Sequence, residues 1–138
     1  MERSRHARTD LPLPDLGNGP LKAWQGKSYA RDLLGLSGSQ VSFNRFEAGE
    51  STPFVHAHRA HEELYVILQG GGLFYLDGEE FPIKEGTMLR VNPQVKRAWK
   101  AGPHGITFIC IQTKAGGLPE PDNDWIRLSD ALPSWAQP

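Results

Sequence analysis

The chain carries one cysteine, Cys110, in 138 residues. That excludes an internal disulfide and fits a reducing compartment. Neither sign of charge dominates: 15 Lys and Arg face 16 Asp and Glu, for a net charge of -1. No bulk electrostatic attraction to nucleic acid or to an anionic membrane follows. No apolar run approaches the ~20 residues that a membrane helix needs. The segment Met1 to Asp10 is charged and has no apolar stretch, so no signal peptide is expected and the cytoplasm is the expected compartment. Nucleophile motifs, phosphate loops, zinc-finger spacing and basic stripes are missing as well. Helical periodicity is nearly absent.

What remains is a series of short apolar runs cut by glycine and proline. Residues 1–20 are polar, with Pro12, Pro14, Pro20 and the turn former Gly17-Asn18-Gly19, and read as an arm that is flexible or packs on a partner subunit. Strands are expected over 28–34, 40–46, 54–58, 63–68, 73–76, 81–84, 87–91, 97–100 and 106–113. Gly70-Gly71-Gly72 reads as a kink between two of them, and 101–105 as a turn. Asp77-Gly78 between two apolar runs is a hairpin signal. Many short strands with regular turns predict an all-β sandwich or barrel over 21–114. In the tail, 115–138, Trp125, Leu128, Leu132 and Trp135 recur at helix-like spacing. Pro133 limits any helix there, and the two tryptophans are expected to pack on the barrel or on a neighbouring subunit. Phe54, Phe74, Phe81 and Phe108 read as core, and Cys110 as a small buried hydrophobe.

The chemistry concentrates in His56-Ala57-His58-Arg59-Ala60-His61-Glu62-Glu63, which runs into the apolar strand Leu64 to Leu68. Residues two apart share one face of an extended chain. His56 and His58 therefore point the same way, and imidazole with carboxylate is ligand chemistry for a divalent transition metal. Glu62 and Glu63 compete for the carboxylate role. Alternation puts Glu63 with Tyr65 and Ile67, and Glu62 with Leu64, Val66 and Leu68.

This stretch resembles the first motif of the cupin superfamily: a glycine (Gly49), His-x-His (His56, His58), a glutamate (Glu63) and, six residues on, a glycine (Gly70). Gly78, Pro82, Gly86 and Asn92-Pro93 resemble its second motif. The resemblance covers roughly 40–113. It implies a double-stranded β-helix, or jelly-roll barrel, and a homodimer, and its spacing favours Glu63 as ligand. It implies metal ligation by His56, His58 and Glu63, with Fe, Mn, Ni or Zn as the cofactor. Activities in the family span oxygenases, isomerases and lyases as well as plain binding proteins.

One position departs from the family. Where cupins with a full metal site place another histidine, this chain has Arg97, which has no lone pair for a metal. His61 and His104 are the remaining histidines of the barrel and read as loop residues. Three readings stand. In the leading one, three ligands hold a metal while Arg97 clamps a small anionic substrate and Tyr65 lines the pocket with its hydroxyl. A dication near Arg97 then meets repulsion of about 8 kcal/mol at 4 Å and an effective dielectric of ~20, which Glu63 and an anionic substrate offset. In the second, Arg97 pairs with Glu63 in a metal-free binding or sensor pocket. In the third, Arg97 turns outward and the site is a relic. Asn44, Lys84, Arg90, Trp99 and Gln112 are further candidates for the barrel lining; Arg90 and Arg97 together would make it cationic.

Overall fold

The computed structural model describes residues 26–118, 120–121 and 124–136. The arm expected over 1–20 lies outside the described residues. Among the described residues there are six strands: β1 (Gly26–Tyr29), β2 (Ser39–Phe46), β3 (His61–Leu76), β4 (Glu79–Lys84), β5 (Met88–Val91) and β6 (Arg97–Lys114). A short helix, α1 (Ala30–Leu34), follows β1, and a single 3-10 turn, Ser134–Ala136, lies in the tail. Every strand pairing is antiparallel.

β3 and β6 organise the barrel, because each is long enough to serve two sheets. The first half of β3 pairs with β5 and with the second half of β6, which continues to β2 and β1. The second half of β3 pairs with β4 and with the first half of β6. The two sheets face each other across the core, the arrangement of a jelly roll.

Glycine makes the bend. The β3–β6 register shifts between Ile67 and Gln69 and again between Gly70 and Gly72. Gly70 has φ +72, and a Cβ there would strike the Gly105 carbonyl oxygen. A Cβ on Gly72 would strike the Lys100 carbonyl oxygen. No other residue permits so close an approach of two backbones. The shift also flips parity. Glu63, Tyr65 and Ile67 are buried before the bend and Phe74 after it; Arg97, Trp99 and Ala101 are buried before the matching bend in β6, and Ile106, Phe108 and Cys110 after it. Both halves of each strand thus turn their apolar faces to one core. Tyr65 meets Phe74 edge to face at 4.9 Å, and Trp99 meets Phe108 at 5.3 Å, in the geometry that aromatic quadrupoles favour.

Several expected elements differ. Residues 30–34 are helix, because Gly35 in the left-handed region (φ 67) closes a helical turn back onto Arg31. The segment 54–58 is not a ladder strand: it touches β6 through one isolated bridge, His56 to Arg97, and a second, Ser51 to Lys100, lies just before it. The expected turn over 101–105 is a bend inside the continuous β6. Phe54 is 64% exposed and not core. The Asp77-Gly78 hairpin is present, with φ 47 and 95 at its two residues. The Asp77 carboxylate accepts from Lys96 N–H at 2.8 Å and its N–H donates to the Lys96 carbonyl at 2.9 Å, so this turn pins the entry to β6. Trp125 and Trp135 are 76% and 86% exposed and are not buried against the barrel. Among the described residues, no helix is long and apolar enough to cross a membrane.

Candidate metal centre at the barrel mouth

Alternation along β3 delivers Glu63 and Tyr65 to the interior. The cross-strand partner of Tyr65 is Cys110, and that of Glu63 is Gln112. Arg97 arrives from the other sheet, at the first residue of β6. His56 lies beside it through a two-way backbone bridge: His56 N–H to the Arg97 carbonyl at 3.1 Å, and Arg97 N–H to the His56 carbonyl at 2.9 Å. His58 N–H donates to the Pro93 carbonyl at 2.7 Å. The His-x-His segment is therefore held by backbone contacts to the strand and turn that carry Arg97.

His56, His58 and Glu63 each offer one donor atom, and these lie within 4.8 Å of one another. His58 Nε2 is 3.6 Å from Glu63 Oε1. His56 Nδ1 and His58 Nε2 are buried and have no hydrogen-bond partner among the described residues. Buried polar atoms are rarely left so. Two orphaned imidazole nitrogens converging on a carboxylate are a donor set that fits a divalent transition metal. Burial lowers the basicity of His56; Arg97 and His58 add to that, and Glu63 opposes it. Its imidazole stays neutral near pH 7, with a lone pair to offer.

Glu63 shows the opposite condition, since both its oxygens are taken. Oε1 accepts from Arg97 Nη1 at 2.6 Å and from the Tyr65 hydroxyl at 2.9 Å; Oε2 accepts from the Cys110 thiol at 3.2 Å. Burial alone would push this carboxyl up, but the hydrogen bonds from Cys110, Arg97 and Tyr65, together with the Arg97 charge, hold it below the usual carboxylate range. The cost falls on the donors. Burial, joined by the nearby Glu63 charge, pushes both the Tyr65 hydroxyl and the Cys110 thiol well up, so neither ionises near neutrality and both remain donors.

Arg97 is 0% exposed. Its side chain does not reach towards the mouth as a free clamp. Nη2 donates to the carbonyls of Asn92 and Pro93 at 2.8 Å and of Val95 at 2.9 Å, and Nε donates to Val95 at 3.1 Å. The guanidinium fastens the 92–95 turn and reaches Glu63 with the remaining nitrogen. Carbonyl dipoles and one carboxylate face its charge, which offsets part of the repulsion expected for a bare arginine beside a dication.

The other candidates divide. Asn44 is buried, with its amide on Ser42 Oγ at 3.0 Å. Trp99 belongs to the core. Gln112 contacts His61 Nδ1 at 2.7 Å. Arg90 and Lys84 are exposed, so the lining has one buried arginine, not two. Glu62 is half-buried on the outer face. His61 and His104 are exposed and do not join the donor cluster. Sequence reasoning missed the thiol donor of Cys110. The signal was available: once β3 and β6 pair, a cysteine opposite Tyr65 sits diagonal to Glu63.

Comparison with known proteins agrees with this architecture. The cupin domain family matches residues 43–110. A cupin protein from Bacteroides fragilis is 32% identical, with 91% of this chain and 100% of that one covered and a TM-score of 0.75. An RmlC-like cupin from Shewanella frigidimarina shares the fold at 21% identity, covering 85% and 97% of the two chains, with a TM-score of 0.59. An uncharacterized protein of Methanocaldococcus jannaschii is 41% identical over 59 residues, 43% of this chain, and the match spans only 42% of that protein. Ligand motif, jelly roll and a relative matched over its whole length agree: the chain belongs to the cupin superfamily.

Proposed function

We propose that His56, His58 and Glu63 hold a divalent transition metal and that the barrel mouth binds a small anionic molecule beside it. The pair of buried, unpartnered ring nitrogens facing a carboxylate carries this reading. Two imidazoles and one carboxylate leave coordination positions open. Bound there, iron supplies oxygen chemistry, and zinc, manganese or nickel supplies Lewis-acid polarisation, the basis of oxygenase, isomerase or lyase activity.

The chain's own residues do the rest. Arg97 and Tyr65 orient the Glu63 carboxylate, as outer partners of a ligating carboxylate do. Arg97 is in this reading a positioning residue, and its ligand contact is indirect. His58, with 25% of its side chain exposed, lies on the solvent side and Glu63 on the inner side. Elemental analysis of protein purified without chelator, or after incubation with Fe, Mn, Ni or Zn, tests the site. Near-stoichiometric metal in the native protein and none in His56→Ala is the expected result.

The saturation of Glu63 favours a second reading, a metal-free binding or sensor cupin with a fixed Arg97–Glu63 pair. It predicts no metal uptake by the native protein under the same incubation. A homodimer is part of either proposal. Exposed Trp125 and Trp135 support it, and sedimentation equilibrium of the native chain against a Trp125→Ser, Trp135→Ser variant reads it.

A further inference from the structure

A groove of about 960 Å³ opens beside the donor cluster, over the strand ends and not over the cluster itself. Its lining includes His61, Gln40 and Gln112. Strand register ties it to the centre. Gln112 stands opposite Glu63, and Gln40 opposite Gln112, so three side chains form one inner-face row across β3, β6 and β2. One layer outward, His61 stands opposite Lys114.

Hydrogen bonding decides what this wall offers. The Gln40 side-chain oxygen accepts from Arg31 N–H at 3.1 Å, which commits the oxygen and leaves the NH2 group as the donor that Gln40 offers to the lining. Donation from the Gln112 amide to His61 Nδ1 at 2.7 Å puts the ring proton on Nε2, a second donor. Arg31 and Lys114 add two cations. Glu62 and Glu120 line the groove too, but alternation sets Glu62 on the face opposite Glu63 and His61, and Glu120 comes from the tail beyond β6. The face that Glu63, His61, Gln112 and Lys114 share is therefore rich in donors and carries a cation, while the lining as a whole balances two cations with two carboxylates. His58 and His61 have ring centroids only 6.2 Å apart, so a short spacer joins the two regions.

We infer that this rim is a carboxylate-recognition subsite and that the ligand is a small dicarboxylic acid. One carboxylate lies at the His56–His58–Glu63 centre; the other meets Gln40, His61, Lys114 and Arg31. The inference rests on the proposed reading of the cluster as the ligand-binding centre.

The two are tested separately on the full chain. Adipate is titrated by calorimetry into the wild type and into the double variant Arg31→Gln, Lys114→Gln, with 1,6-hexanediol as the uncharged probe. Co2+ uptake is followed by visible absorption in both proteins. The expected result is adipate binding that weakens about tenfold or more in the double variant, since charge-assisted hydrogen bonds are lost, with no diol binding and unchanged Co2+ uptake. Equal adipate affinity in the two proteins, or no adipate binding by wild type that takes up Co2+, overturns the subsite. Absence of Co2+ uptake with adipate affinity still dependent on Arg31 and Lys114 overturns the metal reading instead.

Discussion

The inner and outer halves of this site are built on opposite terms. The inner half, Glu63 with Arg97, Tyr65 and Cys110, is buried and has its hydrogen bonds satisfied within the fold. The outer half, His56 and His58, keeps two buried ring nitrogens without hydrogen-bond partners among the described residues. Folding alone accounts for the first arrangement. The second leaves polar atoms whose burial costs free energy until something pairs with them. The difference separates residues that hold the site in shape from residues that receive a ligand.

Cutting the inner half tests that division most severely. Arg97→Met strands Glu63 as a buried charge and frees the carbonyls of the 92–95 turn, and should cost about 3–5 kcal/mol in urea unfolding. A loss below about 1 kcal/mol would show that the inner half is not what holds the barrel mouth. Loading the outer half comes next. A metal at 100 times its dissociation constant should stabilise the wild type by about 2.7 kcal/mol and leave His56→Ala unmoved. Thermal unfolding with and without metal reads both, and equal shifts in the two proteins would place the metal elsewhere. Tyr65→Phe removes one donor while Arg97 and Cys110 remain, so the expected cost is about 1 kcal/mol. A larger loss would mean that the three donors act as a coupled network.

The mildest probe is pH. Glu63 is held below its ordinary value of 4.5, so its contribution is complete above pH 4.5 and drains away as pH falls through the lower folded value. His56 is held below its ordinary 6.5. The unfolded chain takes up that proton first, so stability begins to fall as pH drops below 6.5. Both halves weaken in acid, the outer one at the higher pH. Unfolding free energy measured from pH 7.5 to 3.5 in His56→Ala should lack the first loss and keep the second.

Much of this was legible in the residues. Period-2 alternation put Glu63 and Tyr65 on one face, the His-x-His spacing brought His56 and His58 together, and Asp77-Gly78 marked its hairpin. These are local properties, fixed by backbone geometry within a few residues. The misreadings lie where distant segments meet. Residues 54–58 read as a strand because they look extended, yet a single isolated bridge, His56 to Arg97, joins the segment to β6. Residues 101–105 read as a turn because Gly102, Pro103 and Gly105 punctuate them, yet the long ladder to β3 carries the chain through as a bend.

The sequence by itself determined the strand pattern, the donor types and the missing fourth histidine at Arg97. Tertiary structure alone decided what Arg97 does. An arginine is a solvated side chain, a ligand clamp or a buried staple according to which acceptors surround it. Here those acceptors are three carbonyls of the 92–95 turn and a carboxylate 34 residues away in the chain. The parity flip at the glycine bends brings them together, and no local pattern encodes it. The register of β3 on β6 sets the Cys110 thiol against Glu63, and that register is a property of the assembled sheet.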